Sequence, residues 1–190
     1  ALIVTEPTVS ETYTFNFVAC QDGDGNNYAV TVIGSQTWMA ENIRTTSYTD
    51  GEDIPLVTSE TGWNALGDNN TDKAYCFYNN NANGEADIHG ALYTYAAATN
   101  GDNSGTGVQG VCPIGWHLPS NDEWTALADE LGGEEVAGIK LKSACSGLWN
   151  TNAAEANNMS GFSALPGGHR SSSGSFAWMG MASFWWTATE

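Results

Sequence analysis

The chain has 190 residues, the length of one domain, and its 41% hydrophobic residues supply the apolar material for a buried core. It carries 22 Asp and Glu against 5 Lys and Arg, a formal charge of −17. Phosphate contact needs clustered cations, and Arg44, Lys73, Lys140, Lys142 and Arg170 are scattered, so a nucleic-acid groove and a basic membrane-adsorbing face are excluded. Charged residues make up only 14% of the chain, which leaves Asn, Ser, Thr and Gly to form most of the polar surface; with eight Trp, this is the composition of an exported surface protein.

No apolar run approaches the roughly 18 residues of a membrane span, and no basic stretch precedes an apolar one as in a signal peptide. The expectation is therefore a protein without a membrane span, located outside the cell or on its surface, with Ala1 as a mature terminus. Glu11–Ala19 alternates Tyr13, Phe15 and Phe17 with polar residues, the period of a half-buried strand. Asp22–Asn27 is dense in turn residues and Tyr28–Ile33 is strand-like, so the two runs read as a β-hairpin broken by Gly34–Ser35. Thr37–Ile43 reads as a short helix or an extended segment. From Thr45 to Gly110 the chain is loop-rich, interrupted by the apolar islands Ala74–Tyr78 and Ala91–Ala98, the second with the alanine content of a short helix.

Leu118–Gly133 carries the clearest local signal. Ser120 and Glu123 have the spacing of a capping box, in which each side chain satisfies an orphan backbone amide, and Asp122 adds negative charge to the first turn. Trp124, Leu127, Ala128 and Leu131 then recur at helical spacing until Gly132 ends the helix. Beyond it lie scattered apolar residues, the glycine-rich Gly167–Ser175, and Phe184–Thr189, which reads as a strand.

The runs DGNNY (24–28), VIG (32–34) and QTWMAEN (36–42) resemble the opening of the Fibrobacter succinogenes major paralogous domain, a family of exported bacterial modules. GALYTYAA (90–97), GVCPIGWHLPSNDEW (110–124), GIKLK (138–142), GFSALPGG (161–168) and FWWTATE (184–190) continue the match in order, so the resemblance covers about 20–190. It implies an α+β, C-type lectin-like fold with short antiparallel strands, one or two helices and long ordered loops. Residues 1–19 would be an added strand segment. Members of the family run on past the WWTATE position through further strands, so the closing strands are expected to be missing here, leaving an edge for Tyr13–Phe17 or another chain. Formylglycine-generating relatives of the lectin-like fold use a late cysteine pair; no cysteine follows Cys145, so that activity is not carried over.

The candidate sites are few. Asp22, Asp24 and Asn26, with the Tyr28 carbonyl, offer oxygens spaced like the first half of a calcium loop, though Ile33 stands where the closing Glu would be. A plain turn explains the same residues. Asp68, Asn69, Asn70 and Asp72 form a weaker cluster of that kind. The four cysteines, Cys20, Cys76, Cys112 and Cys145, fit two disulfides in any of three pairings if the chain is exported. His117 beside Asp122 or Glu123 has general-base chemistry, but the helix entrance gives it a structural role; Cys112 with His117 lacks an orienting third group, and no catalytic residue is assigned. Trp38, Trp116, Trp124 and Trp149 sit in the matched motifs and read as core. Trp63, Tyr78, Phe176 and Trp178 lie in polar surroundings and are the expected ligand-facing rings, since aromatic faces stack on sugars and peptide anchors. The expected function is an adhesion or binding module for an extracellular glycan or protein. The alternative is a structural subunit of a filament or pilus, self-assembled by strand exchange, and a hydrolase ranks third.

Overall fold

The computed structural model describes residues 19–67, 69–144, 147–150 and 156–189. It is a mixed structure of short helices and short antiparallel strands joined by long loops. The alternating segment Tyr13–Phe17 and Cys145 lie outside the described residues.

The first hairpin differs from the sequence reading. Strand β1 (Val30–Ile33) pairs with β2 (Gln36–Met39), and Gly34–Ser35 is the two-residue turn between them rather than a break. Gly34 takes φ +57°, the left-handed conformation that such a tight turn demands. The Asp22–Asn27 turn forms ahead of it, closed by a Gln21–Asn27 bridge. After helix α1 (Glu60–Asn64), the two apolar islands meet: β3 (Tyr75–Cys76) pairs with β4 (Leu92–Tyr93). Helix α2 (Glu85–His89) lies between these strands in sequence. Thr94 then caps α3 (Tyr95–Thr99) by accepting from the Ala97 amide.

Helix α4 (Asn121–Glu130) carries the full capping box, with Ser120 accepting from the Glu123 amide and Glu123 accepting from the Ser120 amide. Helix α5 (Glu134–Leu141) follows after Gly132 and Gly133, and Lys140 reaches back to the Leu131 carbonyl at 2.7 Å. The last hairpin joins β5 (Gly167–Arg170) to β6 (Phe176–Met179). Phe184–Thr189 is not a strand: beyond the Ser183–Gly168 bridge the segment makes no ladder, and it is held by its two indoles and by the Ala188 amide, which donates to the Pro119 carbonyl.

The largest apolar cluster packs Ile33, Trp38 and Phe162 against the inner face of α4 and α5 through Leu127, Leu131 and Ala137. Trp149 completes it. Trp124 is only half-buried, its ring 4.9 Å from that of Trp38. Separate clusters form around Tyr48 and Ala97, around Val108 and Leu118, and around Trp63 and Cys76. Together they hold the loops that frame one broad cavity.

Candidate functional site

The segment that follows β6 crosses the molecule and creates the site. Trp185 donates its indole N–H to the Asn42 side-chain oxygen at 3.2 Å, and Trp186 donates to the Tyr93 carbonyl at 2.9 Å. Asn42 in turn donates to the His89 carbonyl at 2.9 Å, so one loop side chain ties the C-terminal segment to the end of α2. These ties frame a cavity of about 1080 Å³. All three histidines of the chain, His89, His117 and His169, line it, together with rings from Trp38, Trp124 and Phe184. Such a wall combines large apolar faces with a few polar tips, the usual make-up of a small-ligand site.

His169 stands at one side of this cavity. Its ring meets Trp178 edge-on at 5.6 Å and 89°, and Phe184 at 5.0 Å and 72°. Its Nδ1 is buried with no hydrogen-bond partner. Trp178 has φ +69°, a left-handed conformation that is unusual for a bulky residue and costs on the order of 1–3 kcal/mol. The Trp178 carbonyl accepts from the amides of Met181 and Ala182, which holds that conformation in place. Gly168, on the neighbouring strand, has φ +63°, and a Cβ there would lie 2.5 Å from the Ala177 carbonyl. The hairpin is thus bent so that the Trp178 indole projects, 55% exposed.

Of the four rings expected to face a ligand, Trp178 is the exposed one. Trp63 is 6% exposed, a correction to the expectation of an accessible ring. The reason is Arg170, whose guanidinium stacks 4.5 Å from the Trp63 ring and 4.7 Å from Phe176. Arg170 donates to the carbonyls of Val57, Thr58 and Gly174, so this buried cation is solvated by backbone and by ring faces. Tyr78 packs on Phe176 at 5.2 Å, and both are half-buried. Missed by the sequence reading were His169 and the exposed Phe184, Trp185 and Trp186. The run FWW was itself the signal, since three consecutive large rings cannot all point into one core.

The Asp22–Tyr28 loop has its carboxylates turned toward donors. Asp22 accepts from the amides of Asp24 and Asn26, from the Asn26 side chain and from the Tyr28 hydroxyl, so the tyrosine contributes its ring end rather than its carbonyl. Burial, with that hydrogen bond, pushes the Tyr28 hydroxyl well above its ordinary value. Asp24 accepts from the Thr46 amide and hydroxyl and from the Ser47 hydroxyl. Desolvation would raise its pKa, but these donors outweigh it and hold the carboxyl below its ordinary value. Asp72 caps its own loop through Gly67 and Asn69. Among the described residues, no three His, Cys, Asp or Glu side chains are grouped so as to hold a metal ion.

His117 Nε2 lies 2.8 Å from Glu123 Oε1, but that carboxylate is the one closing the capping box. Desolvation is again outweighed, here by the Ser120 amide and by His117, and the Glu123 pKa is lowered. Cys20, Cys76 and Cys112 are free thiols, a correction to the expectation of bridges at these positions. Burial pushes Cys20 up to about 11 and Cys112 up to about 12, which makes both poor nucleophiles.

No helix among the described residues is long and apolar enough to cross a membrane. No curated protein and no solved structure gives a significant match to the chain. The Fibrobacter succinogenes major domain matches residues 31–190, a stretch that includes all but the first residue of the β1–β2 hairpin, the capped helix α4 and the aromatic segment framing the cavity. The chain belongs to the Fibrobacter succinogenes major domain family.

Proposed function

We propose that the chain is a non-catalytic recognition module, exported to the bacterial cell surface, that holds an extracellular glycan or protein in its aromatic cavity. The observation that carries this reading is the cavity of about 1080 Å³, walled by aromatic rings and lined by the three histidines. The acidic, Lys-poor surface and the family's association with export support the location. A C-type lectin-like scaffold is part of the same proposal, and short antiparallel hairpins around capped helices agree with it. The binding role over a catalytic one is supported by Glu123, whose carboxylate meets His117 through one oxygen and closes the α4 capping box through the other.

Screening the full chain against a glycan array and a panel of extracellular proteins tests the reading. A ligand that binds the wild type and loses affinity in Trp185→Ala is expected; a ligand indifferent to that change places the activity elsewhere. A second reading, a filament subunit built by strand exchange, is favoured by the β1–β2 hairpin, which has no third strand among the described residues. Ordered polymers in negative-stain images at high concentration would select it.

A further inference from the structure

We propose that Trp178, Phe184 and His169 form a subsite for one neutral pyranose residue of a glycan, an inference that rests on the binding role proposed for the adjoining cavity. Trp178 and Phe184 are the two most exposed aromatic rings of the described residues, 55% and 54% accessible. Their centroids are 5.7 Å apart with planes inclined at 42°, so together they form an open corner. His169 meets both rings edge-on and forms the floor of that corner.

The chemistry of this corner selects its occupant. The face of a pyranose that carries axial C–H bonds is an apolar patch matched to an aromatic face, while its rim carries hydroxyls. The His169 Nδ1 is buried without a partner, and a sugar hydroxyl that reaches it donates a hydrogen bond to it or accepts one from it, according to the tautomer. A half-turn of the ring exchanges Nδ1 with Cδ2 and leaves the ring packing in place, so the nitrogen can be turned to either side. The held backbone of Trp178, with its carbonyl accepting from Met181 and Ala182, fixes the indole before a ligand arrives.

Charge excludes the acidic sugars. The chain carries −17, and a uronate or sulfate would approach against that field. Arg170 adjoins His169 in sequence, but its guanidinium is already engaged by three carbonyls and two rings. The corner therefore suits a neutral hexose, pentose or N-acetylhexosamine.

Isothermal titration of the full chain with cellopentaose, xylopentaose, mannopentaose and chitopentaose, with pentagalacturonate as the charged comparator, tests the proposal. At least one neutral pentasaccharide is expected to bind, and pentagalacturonate is not. Trp178→Ala should weaken that binding about tenfold or more with little change in melting temperature, because the ring is exposed. His169→Phe keeps a ring in the corner and removes the nitrogen, so a loss of about threefold to tenfold is expected. A neutral glycan that binds both variants as well as the wild type overturns the subsite and leaves the module's binding role standing. So does a protein ligand sensitive to Trp185→Ala when no pentasaccharide binds. Preference for pentagalacturonate overturns the argument from charge. Self-association that Trp178→Ala abolishes, with no glycan bound, assigns the corner to a second copy of the chain and overturns the proposal as well.

Discussion

Trp185 and Asn42, separated by 143 positions in sequence, are joined by an indole-to-amide hydrogen bond of 3.2 Å. The same Asn42 side chain donates to the His89 carbonyl, so one residue holds two walls of the cavity in register. Asn42→Ala leaves an exposed indole N–H and a half-buried carbonyl without their partners. A loss of about 1–2 kcal/mol in urea denaturation is expected. An unchanged midpoint would mean that water replaces both bonds and that the tie does not hold the wall.

Gly168 and Gly25 give a matched pair of tests. Both have positive φ, but a Cβ at Gly168 meets the Ala177 carbonyl at 2.5 Å and the Met179 amide nitrogen at 2.7 Å, whereas Gly25 has nothing within 4 Å. Gly25→Ala should cost about 1 kcal/mol, the backbone preference alone. Gly168→Ala should cost at least about 2 kcal/mol and disturb the Trp178 corner. Equal melting temperatures for the two variants would show that the β5–β6 hairpin relaxes freely.

Arg170 is a buried cation held by carbonyls and rings. Arg170→Lys keeps the charge, yet a single ammonium cannot serve the carbonyls of Val57, Thr58 and Gly174 as the planar guanidinium does. Destabilisation of about 3 kcal/mol is expected by chemical denaturation. A neutral outcome would make the cage redundant.

The helix cap sets a pH dependence. Glu123 has an ordinary value of 4.5 and is held below it in the folded chain, as Asp24 is held below 3.8. A carboxyl with a depressed folded pKa contributes its stability above its ordinary value and loses it as pH falls through the folded value. Melting temperature should therefore be level above about pH 5 and decline below it, and Glu123→Gln should flatten part of that decline. Ser120→Ala should cost about 1 kcal/mol at neutral pH. A decline of the same size in Glu123→Gln would place the acid sensitivity elsewhere.

What the sequence made legible was whatever is encoded locally. The capping box at Ser120 and Glu123 gives both the start of α4 and its inner face, because each signal lies within one or two turns. Helix α5 escaped notice because its N-cap is Gly133, without a side-chain cap, and Gly138 interrupts its pattern. The β1–β2 turn was misread because Gly34–Ser35 can either end a strand or reverse one, and only the partner strand decides. Trp63 was misplaced for a long-range reason: the cation that covers it, Arg170, lies more than a hundred residues away. The Thr46 and Ser47 donors to the Asp24 carboxylate were out of reach for the same reason, whereas the donors to Asp22 lie within six residues of it. Trp178 stood out because a large ring amid glycine and serine has few core neighbours to pack on.

The central claim, that a ligand is held at the aromatic cavity, is tested most directly by following the indole N–H resonances of the ¹⁵N-labelled chain as each neutral pentasaccharide is added. The account predicts that the Trp178 and Trp185 resonances shift together and saturably, while that of Trp149, 6% exposed and outside the cavity wall, stays in place. Saturable binding that leaves Trp178 and Trp185 unmoved would contradict it.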